Sequence, residues 1–338
     1  MKLYAGIDLH SNNIYLSILN EEEKEVFCKQ ISLNTDLIIN TLSPFKSDLQ
    51  GVVIESTFNW YWLADALQTH GYQVNLAHPS ANKQYEGYKH TNDKTDARWL
   101  ARLLQLGILK TGHIYPKEQQ GLRELLRQRM RLVQLQTTLL LGLQAVVMRY
   151  EGNKISANNI KTMKEEDVHQ YIKDANVVFL FKQKLAILKN FIVQIHVIEQ
   201  EAMRQIKQLA GFKELKQISG IGDILGAVIV LETGDVKRFK SAGTYCSYCR
   251  CVNSERKSNG KKKGENNRKN GNHYLCWAFI EAANFAIRYN EAIKKYYQRK
   301  MNRSNKLIAI KTIAAKLSKA CFFILRDGVE FDMKIFNG

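Results

Sequence analysis

Residues 2–20 read KLYAGIDLHSNNIYLSILN, two short runs of β-branched, aliphatic and aromatic residues parted by a polar turn. That spelling predicts two consecutive strands, and Glu25–Ile31 predicts a third. After a helix-like stretch around 35–49, GVVIES (51–56) is a continuous apolar run of the kind a strand needs when both its faces are covered. FNWYWLADALQTHG predicts a helix closed by Gly71, YQVNLAHP a strand ended by Pro79, and DKTDARWLARLLQLG an amphipathic helix closed by Gly107. Three strands followed by alternating helix and strand predict an α/β domain with a mixed sheet over residues 1–116.

Beyond it the chain turns helical. Residues 117–150 lack Pro and are rich in Leu, Gln and Arg, all good helix formers. A second helix is predicted from about 165 to 210. Its positions 185, 188, 192, 195, 199, 202, 206 and 209 read Leu, Leu, Ile, Ile, Glu, Ala, Ile, Leu, a heptad seam with one polar break. Over 117–211 this predicts a long-helix, coiled-coil region whose seam suits either burial within the chain or self-association. The last segment, 212–338, reads as mainly α. LKQISGIGDILGAVIVLETGD resembles a helix-hairpin-helix, in which Gly220 and Gly222 would let turn amides and a helix N-terminus meet a phosphate. A plain corner between two packed helices accounts for the same glycines.

The net charge of +18 is unevenly spread. Residues 1–116 hold 10 Lys and Arg against 12 Asp and Glu, whereas the remainder holds 40 against 20. A basic half joined to a slightly acidic half predicts that one part grips phosphates while another does different work. The densest run is ERKSNGKKKGENNRKNGN (255–272), with seven basic side chains, two acidic ones and no apolar one. It lies between predicted helices, so it is either a solvated loop or a site. No apolar run approaches a membrane-spanning length and no lysine-rich amphipathic anchor is evident, so a membrane partner is not expected. The start, MKLYAGIDLHSN, lacks the layout of a signal peptide. Six Cys without an export signal fit reduced thiols in a cytoplasm. Cys246, Cys249, His273 and Cys276, with Cys251 beside them, have zinc-ribbon-like spacing. Only one half has the CxxC form, however, and TYCSYCRCV reads more readily as a semi-apolar segment in which Cys is a compact hydrophobe.

Four carboxylates carry the chemical signal. Asp8 ends the first apolar strand and Glu55 ends GVVIES, so both project from the carboxyl ends of neighbouring strands, where α/β sheets place ligands. Asp93 and Asp96 stand three apart at a helix start, hence on one face. Singly, Asp93 or Asp96 reads as a complement to the helix N-terminus and Asp8 as a turn residue, whereas Glu55 is hard to explain at the end of an apolar strand. Together they repel, by about 4 kcal/mol per pair at about 4 Å and an effective dielectric near 20, and a converging set needs cations. An all-oxygen set selects Mg²⁺ or Mn²⁺, and two such ions about 4 Å apart clamp a phosphodiester.

GIDLH, VVIES and NDKTDARWLARLL resemble the Asp-Glu-Asp-Asp signature of the DEDD-type insertion-sequence transposases, the bridge-RNA-guided recombinase family. ISGIGDILGAVIVLETGDVKRF resembles the start of that family's C-terminal transposase domain. CSYCRCVNSERKSNGKKKG with KNGNHYL resembles its serine motif, in which a serine precedes a Gly-Asn or Gly-Asp by thirteen residues, as Ser258 precedes Gly271-Asn272. The sequence departs from the family at Arg250 and Asn253, which replace a Gly and a Pro, and at Asn259, which replaces the Gly after the serine.

The resemblance implies a RuvC-like N-terminal domain of ribonuclease-H fold, with Asp8, Glu55, Asp93 and Asp96 as catalytic Mg²⁺ or Mn²⁺ ligands. It implies that Ser258 attacks the scissile phosphate and forms a phosphoserine link. On chemistry alone Ser254 is an equal candidate. Gly220, Gly222, Lys257, Lys261, Lys262, Lys263, Arg268 and Lys269 would hold the nucleic-acid backbone. The implied partners are double-stranded DNA, a structured noncoding guide RNA, and further copies of the chain in a dimer or tetramer whose subunits share each active site. The implied setting is the bacterial cytoplasm at the nucleoid. Two rivals stand beside this reading. One is a Holliday-junction-resolvase-like nuclease using only the carboxylates and water. The other is a non-catalytic nucleic-acid binder whose acids are caps.

Overall fold

The computed structural model describes residues 1–82, 92–252, 255–265 and 270–336. Two compact units divide the chain, Met1–Lys117 and Glu118–Gly338.

The first unit is built on a five-stranded sheet. In chain order its elements are β1 (Leu3–Leu9), β2 (Asn13–Asn20), β3 (Glu25–Ser32), α1 (Thr35–Leu42), β4 (Leu49–Glu55), α2 (Tyr61–Thr69), β5 (Val74–Ala77), the single turn α3 (Pro79–Asn82) and α4 (Asp93–Gln105). The spatial order is β3-β2-β1-β4-β5. The first three strands run antiparallel, while β1–β4 and β4–β5 are parallel. β1 is central, so its residues are buried on both faces, and its apolar run needs no alternation.

Gly6 sets how closely α4 approaches the sheet. A Cβ there would stand 2.1 Å from the Ala97 carbonyl oxygen and 2.6 Å from the Ala101 nitrogen, so only glycine admits the helix backbone onto β1. α4 contributes Ala97, Leu100, Ala101 and Leu103 to the buried side. Its start is fixed by a capping box: the Asn92 side chain accepts from the Thr95 amide at 2.8 Å, and the Thr95 hydroxyl accepts from the Asn92 amide at 3.1 Å. The mixed sheet followed by helices matches the α/β expectation and is compatible with a ribonuclease-H-like DEDD domain.

The second unit is helical apart from one hairpin. It comprises α5 (Lys117–Glu151), the short helices α6 (Ala157–Thr162) and α7 (Val168–Tyr171), α8 (Ala175–Ile206), the turn α9 (Phe212–Leu215), α10 (Asp223–Thr233), α11 (Ala242–Tyr248), the strands β6 (Glu255–Ser258) and β7 (Lys261–Glu265), α12 (His273–Tyr289), α13 (Glu291–Asn302) and α14 (Lys306–Asp327). The two long helices serve two cores. Leu140, Leu143, Val146 and Val147 of α5 pack with Phe181, Leu185 and Leu188 of α8 around α6 and α7. Leu122 and Leu126 of α5, with Ala202 and Ile206 of α8, join α10, α12 and α14 in the larger core.

The heptad seam read from the sequence is therefore used inside the chain. Leu185, Leu188, Ile195, Ala202 and Ile206 are all buried within their own subunit. Its polar break is explained as well, because Glu199 receives Arg129 of α5 at 2.7 Å. The reading that no apolar run approaches a spanning length needs correction, though the expectation of no membrane partner does not. α5 is long and apolar enough to cross a membrane by length and composition, with no charged residue between Arg131 and Arg149. Its buried face is spent on the protein's own cores.

Candidate active site

The parallel register of β1 and β4 pairs Gly6 with Val53 and Ile7 with Ile54, so Asp8 and Glu55 are the next residues at adjacent carboxyl ends. Asp8 is 4% exposed. The capping box at Asn92 places Asp93 and Asp96 in the first turn of α4, which Gly6 allows to lie directly on β1. Burial pushes the Asp8 carboxyl up, the positive character of His10 opposes this, and the charges of Glu55, Asp96 and Asp93 add to it, leaving its pKa at about 6. Glu55, Asp93 and Asp96 are thus each close enough to Asp8 for their charges to act on it.

His10 belongs to the same cluster. Its Nε2 lies 3.0 Å from Asp8 Oδ2 and 3.6 Å from Asp93 Oδ2. One ligand atom each from Asp8, His10 and Asp93 fall within 4.8 Å of one another, and among the described residues these form the one set of His, Cys, Asp and Glu so gathered. The loop that carries His10 is tied to the loop after β4. Asn59 Nδ2 donates to the His10 carbonyl at 3.1 Å, and Thr57 Oγ1 donates to Asn59 Oδ1 at 2.9 Å. His10 and Asn59 were not among the residues singled out from sequence. The signal was present, since His10 stands two residues after Asp8 at the end of a strand, where period two returns a side chain to the same side.

In the second unit the lysine-rich stretch forms an antiparallel hairpin. Ser258 pairs with Lys261 and Lys257 with Lys262. The connection is Asn259-Gly260, at φ 49° and 71°, a two-residue turn with both residues left-handed. Ser258, Lys261, Lys262 and Lys263 are exposed. Ser254, Arg268, Lys269 and the Lys257 side chain lie outside the described residues. Two family departures fall on the same kind of backbone. Arg250 (φ 56°) and Asn259 (φ 49°) both occupy the left-handed region that the family's glycines would enter without strain. Asn tolerates it intrinsically. Arg250 is held there by donating from Nε to the Asn270 carbonyl at 2.9 Å and from Nη2 to the Gly271 carbonyl at 3.1 Å.

A family model described as transposase, of the DEDD type of IS110, matches residues 5–171, and the model described as transposase IS116/IS110/IS902 family matches residues 213–298. The first spans the carboxylate cluster and the second the serine hairpin. The chain belongs to the IS110/IS116 transposase family. It is also 23% identical over 245 residues to a probable family 20 transposase of Pseudomonas aeruginosa, a match that covers 70% of this chain and 71% of that protein. Members of this family cut and rejoin DNA, and the DEDD domain implies use of a divalent metal. The donor set fits one: hard carboxylate oxygens, with one imidazole nitrogen, surround a buried carboxyl that resists ionisation without a cation.

Other sequence-derived candidates sort differently in this transposase. A Cβ on Gly220 would meet the Ala282 carbonyl oxygen at 2.4 Å and the Ala286 nitrogen at 2.6 Å, so this glycine (φ 98°) is required for packing against α12. Gly222 faces open space at the start of α10. The cysteines read as hydrophobes. Cys246, Cys249 and Cys251 are core members, and burial pushes the Cys249 and Cys251 thiols well above their ordinary value. They are not gathered with His273 and Cys276 at ligand distance. Tyr245, beside them, is fully buried and shares a hydrogen bond with the Thr233 hydroxyl at 2.8 Å.

The raised Asp8 pKa has a signed consequence. Its folded value, about 6, exceeds the ordinary 3.8, so ionisation disfavours the folded state. Stability of the metal-free protein falls as pH rises from about 4 to about 6, by roughly 3 kcal/mol from this group. A bound divalent ion offsets that loss. Thermal melts are therefore expected to show a larger Mg²⁺-induced rise in Tm at pH 7.5 than at pH 5. Equal shifts at both would contradict the assignment.

Proposed function

We propose that this transposase cuts and rejoins DNA strands through a serine–DNA intermediate at a site completed by the DEDD carboxylates. The observation that carries the reading is the gathering of Asp8, His10 and Asp93 within 4.8 Å of one another, with Glu55 following the adjacent-strand pair Ile7 and Ile54. Asp8, Glu55, Asp93 and Asp96 would hold Mg²⁺ or Mn²⁺, with His10 against Asp8 and Asp93. When bound, the ions supply Lewis-acid polarisation of the scissile phosphate. Ser258 Oγ attacks phosphorus as its proton leaves, the P–O3′ bond breaks, and the departing 3′ oxygen takes up a proton. Attack by a 3′-hydroxyl of another strand then restores a phosphodiester and returns the proton to Ser258. No external energy source is needed, because each bond broken is replaced by one of similar energy.

Ser258 stands at a hairpin tip with Lys261 directly across, and Lys262 and Lys263 follow on the same strand. These cations, with Lys257, Arg268 and Lys269, would neutralise the backbone and the charge developing at phosphorus. The helix-hairpin-helix role narrows to Gly222 and the N-terminus of α10, since Gly220 is committed to packing. The first unit is read as a RuvC-like ribonuclease-H fold. Guide-RNA pairing would supply target choice while the protein holds backbone and shape. The setting is the bacterial cytoplasm, at the nucleoid.

Assembly into dimers or tetramers needs a surface other than the buried heptad. A second face of α8 supplies it: Phe179, Gln183, Ala186, Asn190, Val193 and Val197 follow 4-3-4-3-4 spacing and are exposed, with Leu180 and Ile187 beside them. The six side chains of this row are uncharged, with Lys182 and Lys189 along one margin, so its apolar centre suits a second copy and not a phosphate backbone. Paired antiparallel about Leu188, it is self-complementary, with Phe179 against Val197 and Ala186 against Asn190 of the second copy. Val193→Glu with Val197→Glu is expected to weaken self-association by at least about 10²-fold in light scattering, because unpaired charges would enter an apolar seam. Unchanged mass would remove this face from the account.

The function itself is tested by incubating the wild-type protein with guide RNA, labelled element-end DNA and Mg²⁺, then running a denaturing gel. Protein-linked DNA that needs the metal is expected. Metal-dependent free DNA ends alone would favour the resolvase-like nuclease.

A further inference from the structure

A buried ionic hub that the chemistry above does not use holds the start of α12, just after the segment that carries Ser258. Glu232 of α10 is 2% exposed. Its Oε1 accepts Arg127 Nε at 2.6 Å, and its Oε2 accepts Arg127 Nη2 at 3.0 Å, Arg123 Nη2 at 3.0 Å and Asn272 Nδ2 at 2.7 Å. Burial alone would raise this carboxyl, but the Arg127 hydrogen bonds, the charges of Arg123 and Arg127 and the Asn272 amide hold it below the usual range. Such a hub adds little net stability, since buried ion pairs are often matched or bettered by apolar residues of similar volume. What it supplies is geometry.

Asn272 shows where that geometry is spent. It is 7% exposed, and its Oδ1 caps α12 by accepting from the Tyr274 amide at 2.9 Å and the Leu275 amide at 3.1 Å. Its own amide donates to the Tyr248 carbonyl at 2.7 Å, across the gap where the chain leaves α11 and returns to α12. Gly271 (φ 82°) permits that closure, because a Cβ would meet the Tyr248 carbonyl oxygen at 2.5 Å. Arg250 ties the outgoing strand to the returning one at Asn270 and Gly271. Residues 248–250 and 270–272, on either side of the segment that carries the hairpin, are therefore clamped to each other, and the clamp is anchored on α5 through Arg123 and Arg127, one helical turn apart.

We infer that Glu232 and Asn272 are positioning residues for Ser258, acting by fixing residues 270–272, where the segment that carries the serine returns to the helical core. The inference rests on the reading of Ser258 as nucleophile. Its test is Asn272→Ser, which keeps a good helix N-cap but removes the amide donated to Glu232. The Tm is expected to stay within a few degrees. Amide exchange in residues 255–265 is expected to rise about tenfold while α12 stays protected. Single-turnover cleavage with guide RNA and Mg²⁺ should fall about 10²-fold, at an unchanged DNA concentration for half-maximal rate, because a nucleophile displaced by about 1 Å loses that much.

Wild-type exchange and cleavage in Asn272→Ser would overturn the inference, as would exchange that rises uniformly across the second unit. Faster hairpin exchange in Asn272→Ser, combined with full cleavage by Ser258→Ala, would keep the clamp and remove the serine from the chemistry.

Discussion

Asp8→Asn is expected to abolish strand cleavage, with a fall of at least about 10³-fold in single-turnover rate, equivalent to about 4 kcal/mol of transition-state stabilisation. The variant keeps the size and packing of the side chain at the end of β1 and removes only the anionic ligand. Nucleic-acid affinity should be unaffected, because most of the basic charge lies in residues 117–338. Stability should move the other way. The Asp8 carboxyl is buried and repelled by Glu55, Asp96 and Asp93, so an amide there relieves the metal-free protein and raises its Tm at pH 7.5. Loss of activity with a gain in stability is the signature of a residue kept for its charge. Glu55→Gln should behave likewise in activity. If Asp8→Asn cleaves at the wild-type rate, Asp8 is structural and the metal-site reading fails; if neither the wild type nor Asp8→Asn cleaves while both bind DNA equally, the binder reading gains.

Ser258→Ala is the second large expected effect: complete loss of the protein–DNA adduct and of strand cleavage, with folding and DNA affinity unchanged. Ser258 is exposed at the hairpin tip, so its truncation removes no packing and should alter stability by less than about 0.5 kcal/mol. The Asn259-Gly260 turn that shapes the tip does not depend on the hydroxyl. A resolvase-like nuclease would instead cut normally in this variant, using water. Ser254→Ala, run beside it, separates the two serines that the chemistry of the sequence alone left equal.

How much of this was written in the sequence differs from element to element. The front sheet was legible because its strands are short, apolar and separated by polar turns, and GVVIES names a covered central strand. The carboxylates were legible because each stands at an element's end, where side chains meet across a sheet edge. Their mutual approach was not, since it depends on Gly6 admitting the α4 backbone, a contact between residues about ninety apart. His10 was overlooked although strand periodicity points to it. In the long helices, heptad spacing marked a buried face correctly but not what buries it. The seam closes on the chain's own α5 and cores, and Glu199 is answered by Arg129. The hairpin at 255–265 was hidden by its charge. Its signal was the Asn-Gly pair, not any alternation of apolar residues.

The proposed chemistry needs both the metal-binding carboxylates and the Ser258 hydroxyl on one phosphodiester. Peptide mapping by tandem mass spectrometry of the DNA-linked wild-type protein, made with guide RNA and Mg²⁺ on labelled substrate, tests that claim most directly. The expected result is a nucleotide phosphate on Ser258, formed only with a divalent ion and absent when Asp8→Asn replaces the wild type. Cleaved DNA with no linked peptide, or a Ser258 adduct that forms equally well in Asp8→Asn, would contradict it.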